Sequence, residues 1–156
     1  MIQLIDQGLF AALSEQARQL PRRRTNRNFH PDNAAPAHRL VIAMEPDSYV
    51  VPHCHCDASK AESLLCLRGR LGVVFFSPAG EVERCITLEA GGEVLGVDIP
   101  AGVFHSVVAL CSGTVFFEAK AGPYVPLGDH EKPAWAPPEG APEVEAYLTG
   151  LSHLFA

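Results

Sequence analysis

Three histidines and one glutamate in this chain are spaced to converge on a single divalent metal. His53 and His55 stand two apart in Pro52-His53-Cys54-His55-Cys56. On an extended strand both imidazoles then project from the same face. Glu62 follows a short polar connection, Asp57-Ala58-Ser59, from which a returning strand can bring its carboxylate opposite them. His105 follows in Pro100-x-Gly102-x-x-His105, a turn that introduces a further strand. Neutral imidazoles and a carboxylate suit Fe, Mn, Ni, Cu or Zn, and affinity alone does not choose among them. Four such ligands leave one or two positions for water or substrate, the open coordination that a catalytic metal needs. A lone His-x-His is as often a pair of ordinary hydrogen-bonded histidines. The spacing from Glu62 to Gly69 and the second motif ending at His105 favour the metal.

These ligands need several short strands to bring them together. The first element is helical: Leu9, Leu13, Ala17 and Leu20 recur near every 3.6 residues, Phe10 widens the stripe, and Pro21 ends it. A polar, basic stretch follows from Arg22 to His30. From Ala37 to Gly122 the pattern is all-β. Strands are expected at Arg39–Met44, Tyr49–His55, Ser63–Leu67, Leu71–Phe76, Glu81–Leu88, Val94–Ile99, His105–Leu110 and Thr114–Lys120. Such spacing suggests a sandwich or closed barrel. A proline-rich tail, Lys132–Pro142, leads to a second amphipathic helix striped by Val144, Tyr147, Leu148, Leu151 and Phe155. The expected organisation is a helical and basic segment over 1–36, a barrel over 37–124, and a tail with a helix over 125–156.

At 156 residues the chain fits one domain with a real core. A net charge of −6 argues against nucleic acid or an anionic membrane as bulk partners. The most apolar window, Val94–Leu110, is interrupted by Asp98, Pro100, Gly102 and His105, so no membrane span is expected. The opening residues show no signal-peptide pattern, and five cysteines, an odd count, read as reduced thiols. A cytoplasmic protein is the expectation. The run His53-Cys54-His55-Cys56 also invites a thiolate-rich zinc site, but alternation turns the cysteines away from the histidines, and no Cys-x-x-Cys exists to close it.

The two metal motifs resemble the paired motifs of the cupin superfamily, a small antiparallel jelly-roll-like barrel (double-stranded β-helix) that binds one metal inside. His53, His55 and Glu62, closed by Gly69, match the first motif, and His105 matches the second. Flanking stretches narrow the resemblance to WbuC-type cupins of bacterial surface-polysaccharide gene clusters: Arg22–His30, Ser48-Tyr49-Val50-x-Pro52-His53, Lys60-x-Glu62 and Phe117-Glu118-x-Lys120-x-Gly122-Pro123-Tyr124. The resemblance spans roughly residues 1–136. Six residues separate His55 from Glu62, more than in the general pattern, and a shorter gap would put Lys60 at the ligand position, where a protonated amine cannot bind metal. Ala109 stands where an asparagine is common.

The resemblance implies one divalent metal (Fe, Mn, Ni or Zn) held by His53, His55, Glu62 and His105, and a small-molecule ligand. Beyond it, Lys60 and Glu118 are candidate catalytic groups. Arg22, Arg24, His30, Arg39 and Lys120 are candidates for binding an anionic substrate, while His38, His130 and His153 are expected to be exposed. An isomerase, epimerase or lyase acting on a sugar or sugar acid would use such a site, as would an Fe(II) dioxygenase. The competing class is a non-catalytic, metal-dependent sugar or metabolite binder. A homodimer is compatible with either.

Overall fold

A computed structural model describes residues 1–156. Alternation along the strands decides the layering. In β2 (Ala37–Met44), Val41 and Ala43 face one way and Leu40, Ile42 and Met44 the other. In β4 (Arg70–Phe76), Leu71 and Val73 face the core while Val74 and Phe76 face outward. Both faces of these strands are apolar because both are covered, which explains why they read as near-continuous hydrophobic runs.

The covers are the two helices. α1 (Gln7–Gln19) starts at Asp6, whose carboxylate accepts from the Leu9 N–H. It buries Phe10, Leu13 and Ala17 on Val41, Ala43 and Val115. α2 (Val144–His153) packs Leu151, with Tyr147, Leu148 and Phe155, on Val74, Phe76 and Val108. Neither helix is long and apolar enough to cross a membrane.

Between the helices lie two antiparallel sheets. Besides β2 and β4, the strands are β1 (Arg24–Asn28), β3 (Glu62–Arg68), β5 (Val82–Glu89), β6 (Gly96–Ile99), β7 (Phe104–Ala109) and β8 (Thr114–Ala121). One sheet runs β1-β2-β8-β3-β6, the other β5-β4-β7. Met44, Leu64, Leu71, Val73, Leu88, Ile99, Val107 and Phe116 form the core between them. Backbone hydrogen bonds do not close the sheets into one ring, so the expected barrel is a two-sheet sandwich.

Two sequence expectations need correction. The basic stretch from Arg22 to His30, where no strand is expected, contains β1, which pairs with β2 from Arg24↔Met44 to Asn28↔Leu40. Its residues, Arg-Thr-Asn-Arg-Asn, carry no apolar alternation, so only backbone pairing reveals it; charged side chains suit a sheet edge. Conversely, Tyr49–His55 is not a strand. A single bridge joins it to β7, with His53 N–H donating to His105 O (3.0 Å) and His105 N–H to His53 O (2.9 Å). Pro52 denies the segment a donor and stops the ladder there.

The docking of α2 gives a first test. Leu151 is its one buried side chain. Leu151→Ala should destabilise the protein by about 2–4 kcal/mol in urea unfolding. An unchanged midpoint would mean that α2 does not dock.

Candidate metal centre

Two histidines of the cluster are aimed by their own backbone. His53 Nδ1 lies 2.9 Å from Val51 O, and His105 Nδ1 lies 2.9 Å from Val103 O. A carbonyl only accepts, so both Nδ1 atoms carry a proton, which leaves Nε2 as the atom through which either ring, when neutral, can ligate. This is the arrangement that orients imidazole ligands around metals. His105 sits at the start of β7, after a turn in which Gly102 adopts φ +83° and donates to His55 O (2.7 Å). Glu62 opens β3 and is 4% exposed.

The six-residue gap between His55 and Glu62 is a folded turn. Lys60 N–H bonds to Asp57 O (2.9 Å), and Asp57 accepts from the Ser59 N–H and hydroxyl. The turn brings Glu62 back to the histidines: Oε1 lies 2.5 Å from His105 Nε2, and Oε2 lies 3.7 Å from His55 Nε2. His53, His55 and Glu62 offer ligand atoms within 4.8 Å of one another. The rings of His53 and His105 have centroids 4.7 Å apart.

Two features fit a cation at this point. His55 Nε2 is buried with no hydrogen-bond partner, and 3.7 Å from a carboxylate is too far to supply one. His105 Nε2 and Glu62 Oε1 are both lone-pair atoms when the imidazole is neutral, so contact at 2.5 Å requires a proton or a metal ion between them. Burial, then His105, lowers the His53 pKa to about 4, so the ring is neutral at pH 7. Burial works to raise the Glu62 carboxyl, but His105, His55 and Lys120 outweigh it and hold the group ionised. Imidazole nitrogens beside an anionic carboxylate are a donor set for a divalent cation.

His53, Glu62 and His105 form one wall of a cavity of about 220 Å³ between the sheets. Leu40, Ile42, Met44, Leu64, Val107 and Phe116 supply its apolar lining. Glu118 and Lys120, alternate residues on β8, face it. Lys120 Nζ lies 3.0 Å from Glu118 and 3.4 Å from Glu62. Burial opposes its charge, but the two carboxylates outweigh that and raise its pKa. Arg22 and Arg24 also line the cavity and share Glu139 from the proline-rich tail. Arg24 is the more enclosed: it donates to Ser48 Oγ (3.1 Å) and Tyr49 O (2.9 Å), and burial followed by Arg22 lowers its pKa.

Three of the sequence candidates do not line this cavity. Lys60 donates to Ala121 O (2.8 Å) and Pro123 O (2.6 Å), so its amine fastens the end of β8 instead of moving a proton beside Glu62. Arg39 is exposed on the outer face and donates to Phe29 O; the parity of β2 that turns Leu40 inward turns Arg39 out. His30 is buried, but its Nδ1 accepts from the Arg39 N–H (3.1 Å) and its ring stacks on His38 at 4.0 Å. His38 is therefore buried, contrary to expectation, whereas His130 and His153 are exposed. Sequence reasoning missed Glu139, because nothing local in a proline-rich tail shows that it returns to two arginines more than a hundred residues earlier.

A family described as a domain of unknown function, DUF6016, matches residues 5–88. The chain belongs to this family. The DUF6016 match covers His53, His55 and Glu62, and His105 lies beyond it. No curated protein matches the sequence. Among solved structures, the DUF6016 chain is similar to KdgF from Halomonas sp. (14% identity, TM-score 0.52, covering 69% of this chain and 85% of that one). It is also similar to the conserved SPY1581 protein of unknown function from Streptococcus pyogenes (11% identity, TM-score 0.54, 80% and 91% covered). A cupin-2 domain containing protein from Shewanella frigidimarina aligns at 22% identity and a TM-score of 0.47, with 63% and 80% covered. The likeness to KdgF, together with the two facing sheets, gives this chain a cupin-like β fold, and its own residues His53, His55 and Glu62 form a candidate metal site.

The lowered His53 pKa sets a pH dependence for metal-free protein. The unfolded chain binds a proton at His53 near pH 6.5 and the folded one only near 4, so stability is lost as pH falls through that window. Chemical denaturation of chelator-treated protein should show a loss of up to about 3 kcal/mol between pH 7 and 4. His53→Gln should remove most of that slope, and an identical slope in the variant would contradict the assignment.

Proposed function

We propose that this protein is a WbuC-type cupin metalloprotein. Its inner site binds one divalent metal through His53, His55, Glu62 and His105 and acts on a small anionic molecule of the sugar-acid class. The observation that carries the reading is the buried, unpartnered His55 Nε2 beside a carboxylate already in contact with His105 Nε2. A bound metal of this donor set supplies Lewis acidity toward a substrate oxygen. The protein's own residues do the rest. Arg22, which holds the Glu139 carboxylate through two donors, and Arg24, which shares it, can take a substrate carboxylate in place of Glu139. Lys120 faces the cavity beside the cluster and can hydrogen-bond an oxyanion. Glu118 is the cavity-facing group left to take or return a proton, since Lys60 is committed to two carbonyls. The apolar walls exclude water around them. Proton transfer between carbons, as in an isomerase, epimerase or lyase, is the chemistry that this set supports.

Metal analysis of natively purified protein, with mass spectrometry of any small molecule released on denaturation, tests the reading. His53→Ala/His105→Ala should carry one equivalent of metal less than wild type, and the wild type should release an acidic small molecule. Equal metal content in both proteins would refute the inner site.

A further inference from the structure

The segment that supplies His53 and His55 has a second chemical face. Cys54 and Cys56 alternate with the two histidines, and neither sulfur joins the His53–His55–Glu62 cluster. Their Sγ atoms lie 3.5 Å apart. Opposite them is the short 3-10 turn Asp129–Glu131. The Cys56 Sγ, a His130 ring nitrogen and a Glu131 carboxylate oxygen all lie within 4.8 Å of one another. We propose that Cys56, His130 and Glu131 form a second, outer metal site, selective for a borderline-to-soft cation of the zinc class.

Donor chemistry separates this site from the inner one. The inner cluster offers nitrogen and oxygen only, whereas the outer one adds sulfur, which selects zinc-like ions over Mg, Ca or Mn. The backbone assembles the ligands in advance. Cys54 N–H donates to Glu131 O (3.0 Å), and Cys56 N–H to Glu131 Oε1 (2.8 Å). Gly128 N–H donates to Glu131 Oε2 (2.8 Å). Each carboxylate oxygen thus accepts one bond and keeps a lone pair for an ion. Cys56 and His130 are exposed, so an ion reaches the site from solvent, and the Cys56 thiol proton leaves to solvent as the ion binds.

An ion here would fasten the 129–131 turn to the segment on both sides of His55. Loading the outer site therefore stiffens the stretch that carries two inner ligands, although the outer ligand set stands without the inner one.

The test uses metal-stripped, full-length protein titrated with Zn(II), and with Co(II) as a probe whose thiolate ligation gives a charge-transfer absorption. Wild type should take two equivalents and show the thiolate band. Cys56→Ser/His130→Ala changes two exposed residues; it should take one equivalent and lose the band. His53→Ala/His105→Ala should also take one equivalent but keep the band. A band that persists in Cys56→Ser/His130→Ala, or its absence from fully loaded wild type, overturns the outer site. If the inner site alone fails, the stoichiometry no longer responds to His53 and His105, while the thiolate band still follows Cys56.

Discussion

The structure turns on a pair of short hydrogen bonds from histidine Nδ1 to backbone carbonyls, His53 to Val51 and His105 to Val103. Each carbonyl lies two residues before its histidine, so the chain aims its own side chain. Both rings thereby turn their Nε2 atoms toward the cluster around buried Glu62. Uncompensated, such a set is costly: a buried nitrogen without a partner and a lone pair against a carboxylate each cost on the order of 1–3 kcal/mol. A fold that keeps them together holds the site ready for a positive charge.

The scaffold's role is to make that geometry rigid. The bridge between His53 and His105 ties two motifs fifty residues apart into one backbone unit. β3 pairs with β8 so that Glu62 stands opposite Lys120, which places the one neighbouring cation beside the ligand carboxylate. α1 and α2 cover the outer faces of the two sheets, leaving the space between them for the core and the cavity. At the far end of the sandwich Arg68 bonds to Gly113 O, Phe10 O and Ser14, anchoring α1 to the sheet beneath it.

How much of this was legible in the sequence depended on the kind of signal involved. The candidate ligands were readable because a metal motif restricts residue type and spacing together, and the apolar strands were readable from their period of two. β1 left no such trace, since its pairing is entirely backbone. Tyr49–His55 had the right composition for a strand but lies where Pro52 interrupts the ladder. Lys60 stands two before Glu62, but the turn from Asp57 to Lys60 breaks the strand alternation before β3 begins, so the two side chains do not share a face. Arg39, a charged residue in an apolar strand, faces outward, whereas its neighbour Leu40 faces the cavity. Glu139 and Glu131 act through contacts with residues 75 to 117 positions away, which no local pattern encodes.

The central claim is that the four side chains close on one ion. An anomalous difference map from crystals of natively purified protein, collected at the edge of the metal identified, tests it most directly. The account expects one peak at about 2.0–2.2 Å from Nε2 of His53, His55 and His105 and from a Glu62 oxygen. The His105–Glu62 contact should then open to the separation of two ligands. An empty cluster with His105 still hydrogen-bonded directly to Glu62, in protein shown to be fully loaded with metal, would contradict it.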